Sequence, residues 1–293
     1  MNQNQIETPK VGFLQPESTF THLAAIEQFG PKANYIPMET YEICQEIKTS
    51  AIDYGVLAIE NVFEGIVGAT MDAVLTTDHV SVVGEIILPI AHHLLSNGKI
   101  QEITRIYSHQ QAISQCRKHI DSLEKELGHK IEIIIEASTA RGAERAAHST
   151  ETGSAAIAPA IAAKKYNLQI LMENMEDEKD NVTRFWILGP EGSSNPSGND
   201  KTTFSFDVEN ESGALVSVLN TFSSRGLSAT MLQSRPSKLD RSAGIWEYTF
   251  FAEFLGHITE KSLKESYDLL NSGSNSVCKQ IRLLGSYPRF SAK

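Results

Sequence analysis

Before residue 189 the chain alternates short apolar runs with amphipathic stretches, and this alternation constrains the fold most. The runs VGFL (11–14), YGVLAI (54–59), SVVGEIIL (81–88), RIYS (105–108), IEIIIEA (131–137), SAAIA (154–158), LQILME (168–173) and VTRFWIL (182–188) read as strands. Several are near-continuous and β-branched, as in strands buried on both faces of a parallel sheet. Helical patterns lie between them, around 22–29, 40–50, 66–76, 110–127, 139–148 and 159–166. Strand and helix in turn predict an α/β domain of doubly wound type, with ligands at the carboxyl ends of the strands.

The run GPEGSSNPSGND (189–200) has ten Gly, Ser, Asn or Pro residues out of twelve. It reads as a flexible linker and divides the chain into domains at 1–188 and 201–293. In the second domain TTFSFDV (202–208) alternates as a half-buried strand. Leu215, Val218, Leu219 and Phe222 then make one helical stripe, closed by Gly226. Strands at 227–235 and 246–254 flank a long hairpin loop, a helix carries Leu263, Tyr267 and Leu270, and 277–287 closes as a strand. The order is βαββαβ, a ferredoxin-like module with two helices on one sheet face. The other face, left open, is expected to pair with a second copy.

Composition removes several classes of function. With 36 Asp+Glu against 26 Lys+Arg, the net charge is -10, which disfavours nucleic acid and anionic membrane surfaces as partners. The stretch Ala155 to Ala163 is about half a membrane span and carries Pro159. The first ten residues lack the apolar core of a secretory signal. Cys44, Cys116 and Cys278 are odd in number and far apart, which suits the cytoplasm and no disulfide framework. No phosphate-binding glycine motif, H-E-x-x-H, C-x-x-C or G-x-S-x-G occurs, and the neighbours His92 and His93 point to opposite faces of a strand. No metal site is expected.

Four polar clusters fall at strand ends or in loops: QPESTFT (15–21), Glu60-Asn61, SHQQ (108–111) and NVTRF (181–185). Each also has a purely structural reading. Thr19 and Ser108 suit helix caps, Glu60 a surface acid, and Arg184 a solvated strand residue.

Read in order, these segments resemble a known family. VGFLQPESTF, YGVLAIENVFEGIV, IYSHQQAISQC, ASTARGAERAA, AAIAPAIAAKKYNLQIL and NVTRFWIL are similar to the successive blocks of prephenate dehydratases. SGALVSVLNTF and LQSRPS are similar to the two motifs of the C-terminal regulatory ACT domain in that family. The resemblance spans Val11 to about Pro288. Departures are Gln15 and Ser18 for two loop glycines, Ala58 and Gln110 for prolines, Val62 for a serine, and Gln233 for an acid.

The resemblance implies a two-lobed, periplasmic-binding-protein-like catalytic domain. One lobe would combine the first ~80 residues with 171–188, the other would run over roughly 85–168, and the site would lie between them. It implies conversion of prephenate to phenylpyruvate with loss of carbon dioxide and water, without metal or organic cofactor. Thr183 is the implied hydrogen-bond donor to the departing hydroxyl, with Glu60 as an alternative acid. Arg184 would bind a substrate carboxylate and Phe185 would pack the cleft. Asn61, Thr19, Ser108, Gln115, Ser138 and Thr139 complete the substrate contacts. Gly213, Ala214, Leu215, Gln233, Ser234 and Arg235 would bind L-phenylalanine as feedback inhibitor, within a dimer or tetramer. An arogenate dehydratase, a prephenate decarboxylase and a non-catalytic amino-acid sensor are the alternatives. No helices precede Val11, so a fused chorismate mutase is not expected.

Overall fold

A computed structural model describes residues 8–240, 245–273 and 277–290. Its first sheet takes β1 (Lys10–Leu14), β2 (Asn34–Met38), β3 (Tyr54–Asn61), the two-residue β4 (Gly65–Ile66) and β5 (Val80–Pro89). Helices α1 (Phe20–Phe29), α2 (Thr40–Lys48) and α3 (Gly68–Thr76) connect them. The chain then crosses to a second sheet of β6 (His93–Ser96), β7 (Arg105–Ser108), β8 (Glu132–Ile135), β9 (Ser154–Ala158) and β10 (Gln169–Met172). That half contributes α4 (Gln110–Gln115), α5 (Arg117–Leu127), α6 (Thr139–His148) and α7 (Ala160–Tyr166). It returns to the first sheet as β11 (Val182–Pro190). Strand order is β2-β1-β3-β11-β5 in the first sheet, with β4 on β3, and β10-β6-β9-β7-β8 in the second.

The chain passes between these two sheets at 90–92 and 173–181. β10 belongs to the second sheet, not the first. Besides the two-residue β4, the sequence reading missed β2 and β6. Pro37 interrupts the first of these, and His93 leaves only three apolar or small residues in the second.

Alternation explains why the second sheet needs helices on both sides. Leu94, Ile106, Ala155 and Ile157 enter one core, and their chain neighbours Leu95, Tyr107, Ala156 and Ala158 enter another. On the second side α6 lies so close that a Cβ on Gly142 would come within 2.6 Å of the Tyr107 carbonyl oxygen.

The helix expected over 110–127 breaks at Cys116, with φ -112° and ψ 15°. Asp177 supplies the reason. Its carboxylate accepts the main-chain N–H of Lys118 at 3.0 Å and of His119 at 3.4 Å, capping a new helix start within the run.

The chain divides into two compact units. Met1–Ile43, Val56–Ile66 and Ile87–Phe185 form the first, and Cys44–Gly55, Val67–Ile86 and Trp186–Lys293 the second. Within the second, β12 (Asp200–Val208), α8 (Ala214–Ser223), β13 (Ala229–Asp240), β14 (Ile245–Leu255), α9 (Lys261–Asn271) and β15 (Cys278–Pro288) give the βαββαβ order. Their sheet runs β13-β14-β12-β15. Phe204, Phe206, Val218, Phe222, Phe254, Leu263 and Leu270 form the core beneath the two helices.

Two expectations need correction here. The face away from the helices is not simply open. Lys201 on that face donates to Glu85 of β5 at 2.9 Å, and Trp186 of β11 donates to Glu253 at 3.3 Å. Arg282 donates to the Thr77 carbonyl at 3.0 Å, just past the end of α3, where a cation suits the helix dipole. The 189–200 run is also tied down. Ser194 donates its N–H to the Ser286 carbonyl and its hydroxyl to the Val83 carbonyl. Polar residues that build no core still anchor a segment through hydrogen bonds.

At Gly285 the backbone of β15 passes close to β5. Its φ is +153°, and an added Cβ would stand 2.0 Å from the Val82 carbonyl oxygen. Gly285→Ala is expected to lower stability by more than about 2 kcal/mol, from backbone strain and overpacking together. Urea denaturation of the two proteins checks this, and an unchanged midpoint contradicts the packing.

Candidate active site

The site grows from the place where β3 ends and β11 begins. Val62 donates its N–H to the Val182 carbonyl at 3.1 Å, Asn61 meets Thr183 at 2.9 Å and Arg184 meets Glu60 at 2.8 Å, and this opposed order of contacts sets the two strands antiparallel. Successive side chains on a strand point to opposite faces. Asn61 and Thr183 therefore share one face, and Glu60 and Arg184 the other.

On the first face the Asn61 carboxamide has one orientation. Its Oδ1 accepts the main-chain N–H of Phe63 at 3.0 Å and of Glu64 at 3.2 Å. Nδ2 consequently faces Thr183 Oγ1 at 2.9 Å, the Val182 carbonyl at 3.0 Å and Asn181 Oδ1 at 2.7 Å. Thr183 thus accepts from Asn61 and keeps its own proton to donate. Asn181 donates onward to Gln115 Oε1 at 3.0 Å, and Gln115 donates to Glu64 Oε1 at 3.2 Å. Asn61, Asn181 and Thr183 are all buried, and among them these are neutral dipoles with defined directions, which keep their strength away from water.

On the second face Arg184 Nε donates to Glu60 Oε1 at 2.8 Å, with the arginine side chain 5% exposed and the glutamate 38%. The acid and cation expected beside Thr183 are thus engaged with each other across the sheet from it. Phe185 is 1% exposed and shares the Thr183 face by alternation, as a core residue.

Other expected contact residues are hydrogen-bonded within the fold. Thr19 caps α1, accepting from His22 N at 3.3 Å and donating to the Leu14 carbonyl at 3.2 Å. Ser108 donates to the Ile157 carbonyl at 2.6 Å and is fully buried. Ser138 accepts from Arg141 N at 3.1 Å as the N-cap of α6, and Thr139 is that helix's first residue. Ser18 sits at φ 68°, in the left-handed region that favours glycine. Val62 is 58% exposed.

In the second unit Gly213, at φ 84°, starts α8 with no side-chain cap, Ala214 is buried and Leu215 packs on the core. Gln233 donates to the Ser234 carbonyl at 3.1 Å. Arg235 Nε donates to Asp72 Oδ1 of α3 at 2.9 Å, and its Nη2 reaches Asp72 Oδ2 at 2.5 Å. Ser234 and Arg235 lie within β13, not at its end, because a shift of register after Pro236 lets the strand continue.

Residue-by-residue reading of the sequence missed Asn181 and His92. Asn181 stands at the head of NVTRF, and its signal was its place beside Thr183. In the sequence His92 stands out only as half of the His92–His93 pair. Among the described residues no group of three or more His, Cys, Asp or Glu side chains could hold a metal ion. All three cysteines are buried, and burial raises each thiol's pKa, Cys44 to about 12, so they are poor nucleophiles.

Two α/β sheets joined by two crossings, with a directed amide cluster at one crossing, stand in one chain with a ferredoxin-like βαββαβ module. Comparison makes this specific. The prephenate dehydratase family pattern matches residues 11–193. The bifunctional chorismate mutase/prephenate dehydratase of Aquifex aeolicus is 39% identical over 282 residues, covering 96% of this chain and 74% of that one. The prephenate dehydratase of Bacillus subtilis is 33% identical over 303 residues, covering 96% and 99%. The crystal structure of prephenate dehydratase from Arthrobacter aurescens in complex with L-Phe matches with a TM-score of 0.84 at 29% identity, over 96% of this chain and 90% of that one. The chain belongs to the prephenate dehydratase family.

The Glu60–Arg184 pair gives the sharpest test of this geometry. Arg184→Lys is expected to keep KM within about twofold while lowering stability by about 1–3 kcal/mol, discounted for the exposure of Glu60. Steady-state kinetics beside thermal melts checks it. A large rise in KM at unchanged stability returns Arg184 to the substrate.

Proposed function

We propose that the protein is a prephenate dehydratase, and the observation that carries the reading is the Asn61–Thr183 hydrogen bond. In this reaction the bond from the ring to its carboxylate breaks and releases carbon dioxide. The freed electron pair enters the ring, and the ring hydroxyl leaves at the opposite carbon. One proton joins the departing hydroxide to make water, so prephenate and a proton become phenylpyruvate, carbon dioxide and water. Aromatisation supplies the drive, so the chemistry calls for no cofactor. Its difficulty is the poor leaving group.

Thr183 answers that difficulty in this reading. A threonine hydroxyl is too weak an acid to protonate hydroxide early, but a directed O–H steadies negative charge as it develops. Asn61 donating to Thr183 Oγ1 turns that O–H outward and polarises it. The N–H groups at the start of α6, beside Ser138 and Thr139, suit a substrate carboxylate. No helix among the described residues is long and apolar enough to cross a membrane. Acidic composition and three buried free thiols support a cytoplasmic enzyme.

Incubation with prephenate, followed by NMR, is expected to show phenylpyruvate. Intact substrate, or a decarboxylated product that keeps its hydroxyl, contradicts the assignment. Thr183→Ala is expected to lower kcat about a hundredfold or more with little change in KM. A variant keeping a tenth of wild-type kcat removes Thr183 from the mechanism.

The C-terminal module we read as an ACT-type regulatory domain that binds L-phenylalanine and inhibits the enzyme, in a dimer or tetramer. Support comes from the Arthrobacter relative, solved with L-Phe, and from the uncapped N–H groups of α8 behind Gly213. The Arg235–Asp72 pair narrows the expected contacts to Gly213, Ala214, Leu215, Gln233 and Ser234. Calorimetry with phenylalanine is expected to give saturable heat over the same range in which activity falls. Neither effect up to millimolar ligand would leave the module as an assembly element.

A further inference from the structure

Asn181 and His92 lie on the two segments by which the chain passes between the sheets, and the reading above gives neither a role. They are 2% and 3% exposed. The two segments are stitched together around them. Ile90 N donates to the Asn181 carbonyl at 2.8 Å, Met175 N to the His92 carbonyl at 2.7 Å, and His92 N to Glu176 Oε2 at 2.8 Å.

The directions of the side-chain bonds follow from one end. Asn61 Oδ1 is occupied by two main-chain N–H groups, so its nitrogen faces Asn181 Oδ1. Asn181 must then donate to Gln115 Oε1. With that oxygen an acceptor and the Gln115 nitrogen on Glu64, His92 Nε2, 3.1 Å away, must carry the ring hydrogen. His92 Nδ1 is left as a bare acceptor, buried with no hydrogen-bond partner among the described residues. Burial holds the His92 pKa below the usual histidine range, so the ring is neutral and the tautomer persists. An unpartnered buried nitrogen is costly, and here the cost accompanies a ring nitrogen that completes a chain reaching Thr183.

The Asn61 nitrogen has two hydrogens and three acceptors, at 2.7, 2.9 and 3.0 Å. The shortest of the three contacts is to Asn181. We propose that Asn181, held in place by Gln115 and His92, is a positioning residue that keeps the Asn61 N–H on Thr183 and so directs the Thr183 proton at the leaving hydroxyl. The proposal rests on Thr183 acting as that donor. Asn181 touches no substrate in this scheme and acts only through Asn61 and Thr183.

A kinetic double-mutant cycle separates this role from a structural one. Asn181→Ala is expected to lower kcat about ten- to a hundredfold, since small misplacements of a reacting group cost that much, with KM within about threefold. In a Thr183→Ala background the same change is expected to alter kcat by less than about twofold, because the group it serves is gone. An equal loss in both backgrounds overturns the proposal, as does full activity of Asn181→Ala. Should that variant fail to fold, His92 decides. His92→Phe removes the N–H and is expected to lower kcat about tenfold. His92→Gln offers another N–H and is expected to recover kcat to within about threefold of wild type. Equal losses in the two His92 variants contradict the scheme. A wild-type chain that does not turn over prephenate overturns the functional reading itself, and that result appears before any variant is compared.

Discussion

The carboxamide of Asn61 is anchored by its oxygen to the N–H groups of Phe63 and Glu64, so its nitrogen is presented to Asn181, Val182 and Thr183. A buried carboxamide rotated by half a turn would leave two main-chain donors unsatisfied and set its oxygen against acceptors, which is costly in a low-dielectric interior. The orientation is therefore fixed by the turn after β3, before any ligand arrives. From it follow the acceptor role of Thr183, the direction of the Asn181–Gln115 bond and the tautomer of His92.

The antiparallel meeting of β3 and β11 has a second consequence. It sorts four adjacent polar residues into two pairs on opposite faces, one neutral and one ionic. The neutral pair suits a group that must meet a leaving hydroxyl without attracting bulk water. The ionic pair, with Arg184 almost wholly buried, contributes to the integrity of the sheet. Residues next to each other in Thr-Arg-Phe thus do different work, because a strand places neighbours on opposite sides.

Much of this was legible in the sequence. The β-branched runs marked the buried strands, and the stripe through Leu215, Val218, Leu219 and Phe222 marked α8. What escaped depends on contacts between distant segments. Asp177 breaks the helix at Cys116 by holding Lys118 N from 59 residues away, and no local pattern announces a cap supplied by another segment. The 189–200 run looked free because its composition builds no core, yet Ser194 is bound to Val83 and Ser286. Arg235 looked available in its motif until α3 supplied Asp72 and a glycine, Gly68, beneath the guanidinium. Thr183 and Asn61 were found as motif residues, but their partnership needed the register of two strands about 120 residues apart.

The proposed mechanism turns on a threonine hydroxyl, set by Asn61, that meets the departing oxygen. A crystal structure with a non-reactive prephenate analogue that keeps the ring hydroxyl tests it most directly. That hydroxyl is expected about 2.7–2.8 Å from Thr183 Oγ1, with the Asn61 Nδ2 contact to Thr183 retained. An analogue bound in the cleft with its hydroxyl on another side chain, or with Asn61 turned away from Thr183, would contradict it.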